Sequence, residues 1–126
     1  MFYKDSRKFE TGTISYSLFE AWKAGLELVL EIGVDVIYEN VLKSTDLIID
    51  KLNDKGLVVI TPIKNRKERS AIVHFNKGSY SSTKLLFEKL KANNIIVTLQ
   101  AENIRVSLNF FTTKGKIQIF LDSISK

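Results

Sequence analysis

Apolar residues recur at Leu18, Ala21, Trp22, Gly25, Val29 and Ile32, three and four apart, which is the spacing of one face of an α-helix. Ser17 and Glu20 stand near its start at the spacing of a capping box, and Gly33 suits the left-handed residue that ends a helix. A second helix is predicted next, with Val34, Ile37, Val41, Ile48 and Leu52 on one face. Asp35, Glu39, Lys43, Asp46, Asp50 and Lys51 make its solvated side, and Gly56 closes it. Beyond Gly56 the period shortens to that of strands. Residues 57–61 and 71–75 are compact and β-branched, bounded by Pro62 and a charged loop. Residues 78–83 supply a loop and cap for a helix carrying Leu86, Phe87 and Leu90, stopped at Asn93-Asn94 because asparagine tolerates positive φ. Residues 95–99 and 103–108 read as two more strands around the turn Gln100-Ala101-Glu102. Thr112 or Thr113 then caps a last helix with Ile117, Phe120, Leu121 and Ile124 inside.

The order α-α-β-β-α-β-β-α predicts an α+β two-layer sandwich, a small, mostly antiparallel four-stranded sheet with helices packed on one face. No linker or low-complexity run interrupts residues 1–126, so the chain reads as a single domain. Its 44% hydrophobic and 26% charged residues are enough for a core and are not a disordered composition. The longest apolar runs are far shorter than the ~20 residues of a membrane-spanning helix. Met1-Phe2-Tyr3-Lys4-Asp5 lacks the apolar centre of a secretory signal, so a cytoplasmic location is the expectation. With no cysteine, disulfides and zinc–thiolate sites are excluded.

The formal charge of +5 raises the question of nucleic acid. Its one local cluster, Lys64, Arg66, Lys67 and Arg69, is broken by Asn65 and Glu68 and has no aromatic stacking motif beside it. It reads as a solvated connecting loop. The single histidine, His74, falls by strand alternation on the face opposite Ala71, Val73 and Phe75. One histidine and no cysteine leave too few parts for a metal cluster or a Ser-His-Asp triad. The six glycines sit singly, so no phosphate loop is present.

Two features invite more. In the strand ending at Leu108, Ile104, Val106 and Leu108 face the helices, which puts Arg105, Ser107 and Asn109 on the other side as a row of donors. A guanidinium is a planar fork matched to a carboxylate. Read alone, this is a surface arginine on a half-exposed sheet. Thr11-Gly12-Thr13 lies directly before the first helix, where hydroxyls and free N–H groups can hold an anion such as phosphate. Read alone, it is a helix cap.

Together these motifs and the residues between them resemble the C-terminal domain of the class V aminotransferase family, which includes cysteine desulfurases and selenocysteine lyases. Arg7-Lys8-Phe9-Glu10-Thr11-Gly12-Thr13 is similar to the family's Arg-Phe-Glu-x-Gly-Thr entry into this region. Glu31-Ile32-Gly33 resembles its Glu-Ile-Gly turn between two helices. Residues 68–75 resemble its Arg-Ser-Gly-Ile-Val-Ser-Phe strand, and residues 104–113 its Leu-Arg-Val-Ser-x-x-x-Tyr-Asn-Thr ending. Lys8 replaces the usual arginine, Ala71 a glycine, and Phe111-Thr112 the usual Tyr-Asn.

The resemblance implies the cofactor pyridoxal phosphate (PLP). It gives Thr13, with Gly12, a contact to the phosphate, and gives Arg105 the carboxylate of an amino-acid substrate. It also implies a large domain whose lysine, following a histidine, forms the Schiff base with the cofactor. Only eight residues precede Phe9 and no His-Lys pair occurs, so the expectation is that this chain lacks that domain and is not catalytic alone. Lys77, close after His74, falls in a turn. The implied partners are a PLP-binding large domain or companion chain, the amino-acid substrate, and a second copy of the chain. A free-standing carboxylate-binding module without catalysis stays open beside this reading, and a basic nucleic-acid-binding domain is the weakest third.

Overall fold

The computed structural model describes residues 3–9, 12 and 15–124. Packing divides the chain into two units, Met1–Val34 and Asp35–Lys126.

In the first unit a 3-10 turn, Ser6–Phe9, precedes helix α1, Tyr16–Ile32. Arg7 grips Asp5 through a 2.7 Å ion pair and lies 4.5 Å over the Tyr3 ring. The side-chain hydrogen bond from Arg7, reinforced by its backbone N–H, holds the Asp5 carboxyl below its usual range. The expected capping box at Ser17 and Glu20 does not form, because the helix is already under way at Ser17. The N-cap is Ser15, in extended conformation and without a side-chain cap bond. Gly33 ends the helix with φ of 90°, its N–H bonded to the Val29 carbonyl. Its ψ of 126° lies outside the left-handed helical well. No side chain of α1 is buried.

The second unit follows the predicted order. Helix α2, Val34–Asp54, buries Val41, Leu42, Thr45, Ile48, Ile49 and Leu52, a wider stripe than the pattern gave, while Val34 is exposed. At its end Gly56 adopts φ of 68° and the Leu57 N–H closes back on the Leu52 carbonyl at 3.0 Å, a Schellman wrap. Strands β1 (Val58–Val59) and β2 (Ile72–Asn76), helix α3 (Tyr80–Ala92), strands β3 (Thr98–Gln100) and β4 (Asn103–Ser107), and helix α4 (Lys114–Ile124) complete it. The four strands lie in the order β1-β2-β4-β3, every neighbouring pair antiparallel. Each hairpin is followed by a helix, so the order β-β-α occurs twice, although the two halves share no sequence pattern.

One face of the sheet meets the helices. Val73 and Phe75 on β2 and Ile104 and Val106 on β4 join Ile48, Ile49 and Leu52 of α2, Leu86 and Leu90 of α3, and Ile117, Phe120 and Leu121 of α4 in one buried cluster. Phe75 and Phe120 meet edge to face with centroids 6.3 Å apart.

Two strands are shorter than their sequence runs. Past Val59, the N–H groups of both Ile60 and Thr61 turn to the carbonyl of His74, and the Thr61 hydroxyl takes the His74 N–H at 2.7 Å. A side chain thus stands in for the next backbone acceptor, and regular pairing stops before Pro62. On the other edge, Asn94 at φ of 58° and the Ile95 N–H bonded to the Leu90 carbonyl make residues 93–95 the C-cap of α3. Regular pairing therefore begins only at Thr98. Thr113 is the cap of α4, its hydroxyl 3.4 Å from the Lys116 N–H.

Candidate functional site

The sheet face away from the helices carries the candidate chemistry. Strand pairing sets His74 opposite Arg105 and Ile72 opposite Ser107, and β3 sets Thr98 on the other flank of Arg105. Arg105 and His74 are half-buried. The Nε of Arg105 and the Nε2 of His74 are both withdrawn from solvent without a hydrogen-bond partner. Asn76 and Asn103 close one end of this surface with a 2.8 Å amide bond to each other. None of the four strands contains an aspartate or glutamate. The face thus sets one guanidinium among an imidazole and the hydroxyl side chains of Thr98 and Ser107.

The predicted donor row is one residue shorter than expected. Ser107 shares the face with Arg105, but Asn109 lies beyond β4 and its side chain is used locally, accepting the Phe110 N–H at 2.8 Å. Leu108 packs on the core as the alternation required.

Gly12 is exposed, and a Cβ added there would meet nothing within 4 Å. It belongs to the first unit and Arg105 to the second. Thr13, the residue expected at the cofactor phosphate, lies outside the described residues, as does Thr11.

The basic cluster is largely answered within the fold. Arg66, in a 3-10 turn at Arg66–Glu68, donates to Glu39 of α2 at 2.6 Å. That hydrogen bond and the attraction of the Glu39 carboxylate hold its guanidinium above the usual arginine range. Arg69 is not a solvated loop residue as expected. Its side chain is 9% exposed, bonded to Asp46 at 2.7 Å and to the hydroxyl of buried Thr45 at 3.0 Å. It therefore clamps the entry of β2 onto α2 through Asp46, whose own side chain stays 44% exposed on the solvated side to which the helical pattern assigned it. Lys64 and Lys67 remain as the exposed lysines of the segment.

Lys77 sits on the wrong side for chemistry at Arg105. It lines a cleft of about 250 Å³ with Lys55, Leu57, Leu86 and Ile124, in the helical layer. Among the described residues no cluster of histidine, cysteine, aspartate or glutamate could hold a metal ion, and no helix is long and apolar enough to cross a membrane. Sequence reasoning found Arg105 but gave His74 no role there. The available signal was that both residues fall on helix-averted positions of their strands.

A four-stranded antiparallel sheet with helices on one face and Arg105 on the other defines an α+β two-layer scaffold. Comparison with solved structures finds this fold in C-DES, determined as a lysine-to-alanine mutant with glycine covalently linked to the PLP cofactor. The match has a TM-score of 0.78, covers 94% of this chain and is 19% identical in sequence. The chain spans 31% of the length of that protein. A likeness at this identity establishes a common fold. No protein-family model and no curated protein matches the chain.

Proposed function

We propose that this chain is the C-terminal part of a PLP-dependent enzyme of the class V aminotransferase or cysteine desulfurase kind. In that assembly its open sheet face supplies Arg105 to the carboxylate of an amino-acid substrate, and its Gly12-Thr13 segment contacts the cofactor phosphate. The observation that carries the reading is the half-buried, acid-free setting of Arg105 on a fold shared over 94% of the chain with a protein that holds PLP. The match to about a third of that protein supports a role that needs a further polypeptide region. Helix α1, with Leu18, Phe19 and Trp22 lining a surface groove of about 370 Å³, supplies apolar surface for such a partner.

The residues here fit part of what PLP requires. Arg105 suits a carboxylate, and the open space at Gly12 admits a close approach to the backbone. They do not form a PLP pocket. On the strands around Arg105 there is no lysine to anchor the cofactor and no carboxylate for its ring nitrogen, and the one phenylalanine, Phe75, points into the core. The covalent and electron-withdrawing chemistry of the bound cofactor therefore belongs to the companion region, and this chain's part is to bind and orient.

The test is the coding sequence upstream of Met1 and beside it. A polypeptide carrying a large α/β domain with a His-Lys pair should be found, and its co-expression with this chain should give a yellow complex that turns over an amino acid. With this chain alone, PLP followed by borohydride should leave only scattered lysine adducts on peptide mapping. A single stoichiometric adduct with turnover by the chain alone would overturn the proposal. A missing companion together with carboxylate binding by the chain alone would favour the free-standing module.

A further inference from the structure

We propose that His74 is a second binding residue beside Arg105, so that one small carboxylate is held between the imidazole and the guanidinium on the open face of the sheet. The proposal rests on the reading of Arg105 above and adds to it a residue that reading does not use.

The register brings the pair together. The Leu108 N–H donates to the carbonyl of Ala71 at 2.8 Å, which makes those two a hydrogen-bonded pair of the β2–β4 ladder. Bonded and non-bonded pairs alternate along an antiparallel ladder, so His74 and Arg105 form a non-bonded pair. In such pairs the Cα atoms stand about 4.5 Å apart and the side chains are at their closest. The backbone of His74 is also pinned from its other side. Its N–H donates to the Thr61 hydroxyl at 2.7 Å and its carbonyl accepts from Ile60 at 2.8 Å. The imidazole thus springs from a fixed base directly across from the guanidinium.

The hydrogen-bond inventory then asks for a third party. Buried polar atoms in folded proteins are nearly always paired, because a donor taken from water without a partner is costly. Here one nitrogen on each of two residues that face each other across the ladder, Nε of Arg105 and Nε2 of His74, is unpaired. No acidic residue on any strand of the sheet can answer them. Thr98, Ser107 and Ile72, the nearest positions on the same face, carry no charge. The missing acceptor comes from outside the sheet. A carboxylate fits, being planar and having two oxygens, one for the guanidinium edge and one for an imidazole whose Nε2 carries the proton.

His74 is the sole histidine of the chain, so ring signals in a nuclear magnetic resonance spectrum belong to it alone. The full chain should be titrated with acetate and with glycine, using glycinamide and inorganic phosphate as controls. Acetate and glycine should shift the His74 ring signals and the Arg105 amide along one saturable curve, and glycinamide should shift neither. Binding of acetate, read at the Arg105 amide, should weaken about tenfold in His74→Ala, as for loss of one charge-assisted hydrogen bond. It should be largely kept in His74→Gln, which retains a donor, and be abolished in Arg105→Gln. If acetate moves the Arg105 amide while the ring signals stay still and His74→Ala binds as well as the parent, the role of His74 is refuted and Arg105 stands. If neither residue responds to any carboxylate, both readings fall. Tighter binding of phosphate than of acetate would refute the choice of ligand. Should His74→Ala not fold, the ring shifts and His74→Gln decide.

Discussion

On β2 and β4, Val73, Phe75, Ile104 and Val106 point into the helices, while Ile72, His74, Arg105 and Ser107, each one residue away, point to the other side. The first set is between 0 and 7% exposed and belongs to the apolar core cluster. The second brings two unpaired nitrogens onto strands that contain no aspartate or glutamate. One pleat thus separates what holds the unit together from what it offers to a ligand. Substitutions on adjacent residues should therefore have unlike consequences.

The largest expected effect lies on the helix side. Phe75→Ala removes a ring with no exposed surface that packs against Phe120, and should lower unfolding free energy by roughly 3–5 kcal/mol. The urea midpoint should fall with little change in slope. A loss below about 1 kcal/mol would mean that this face is not the core described. Arg105→Lys asks the converse. In an enzyme assembled with its PLP-binding region, replacing the fork by one ammonium should cost roughly 2–5 kcal/mol in kcat/KM. The unfolding midpoint should barely move. An unfolded domain with unchanged kcat/KM would make Arg105 a structural residue and erase the contrast between the faces.

Arg69→Ala sharpens the comparison with a polar group that does serve stability. The variant strips Asp46 and the Thr45 hydroxyl of their shared donor and should destabilise by about 1–3 kcal/mol, without changing carboxylate binding at Arg105. A double-mutant cycle with Asp46→Ala isolates the pair. The smallest effect is a gain. Ala101, first residue of the two-residue turn between Gln100 and Asn103, has φ of 51°. Glycine suits that position, so Ala101→Gly should raise stability by about 0.5–1 kcal/mol in thermal or urea unfolding. A loss of stability would show that the turn does not hold this conformation in solution.

The architecture was legible because it depends on periods. The alternation from Ile104 to Leu108 sorted inside from outside, and the change from helical to strand spacing at Gly56 gave the element order. What was not legible depends on contacts between distant residues. Residues 57–61 look like an unbroken strand, yet the Thr61 hydroxyl ends the ladder by taking a bond that belongs to the backbone. Residues 95–99 are equally strand-like, and their first residue is consumed by the C-cap of α3. Arg69 and Asp46 each sat among charged neighbours in sequence, and only the docking of β2 onto α2 reveals them as partners. The same holds for the site. Arg105 announced itself through alternation and family resemblance, whereas the pairing of His74 with it requires the register between two strands that are not consecutive.

The twice-occurring β-β-α order bears on how the second unit is put together. Each β-β-α half can close over short sequence distances, hairpin first and helix after, and among the described residues β2 with β4 is the strand pairing that joins the halves. Bringing Asn76 back to Asn103 means closing a long loop before the long-range ladder returns any energy. The surface bearing His74 and Arg105 therefore exists only where β2 has joined β4, and neither β-β-α half carries it alone.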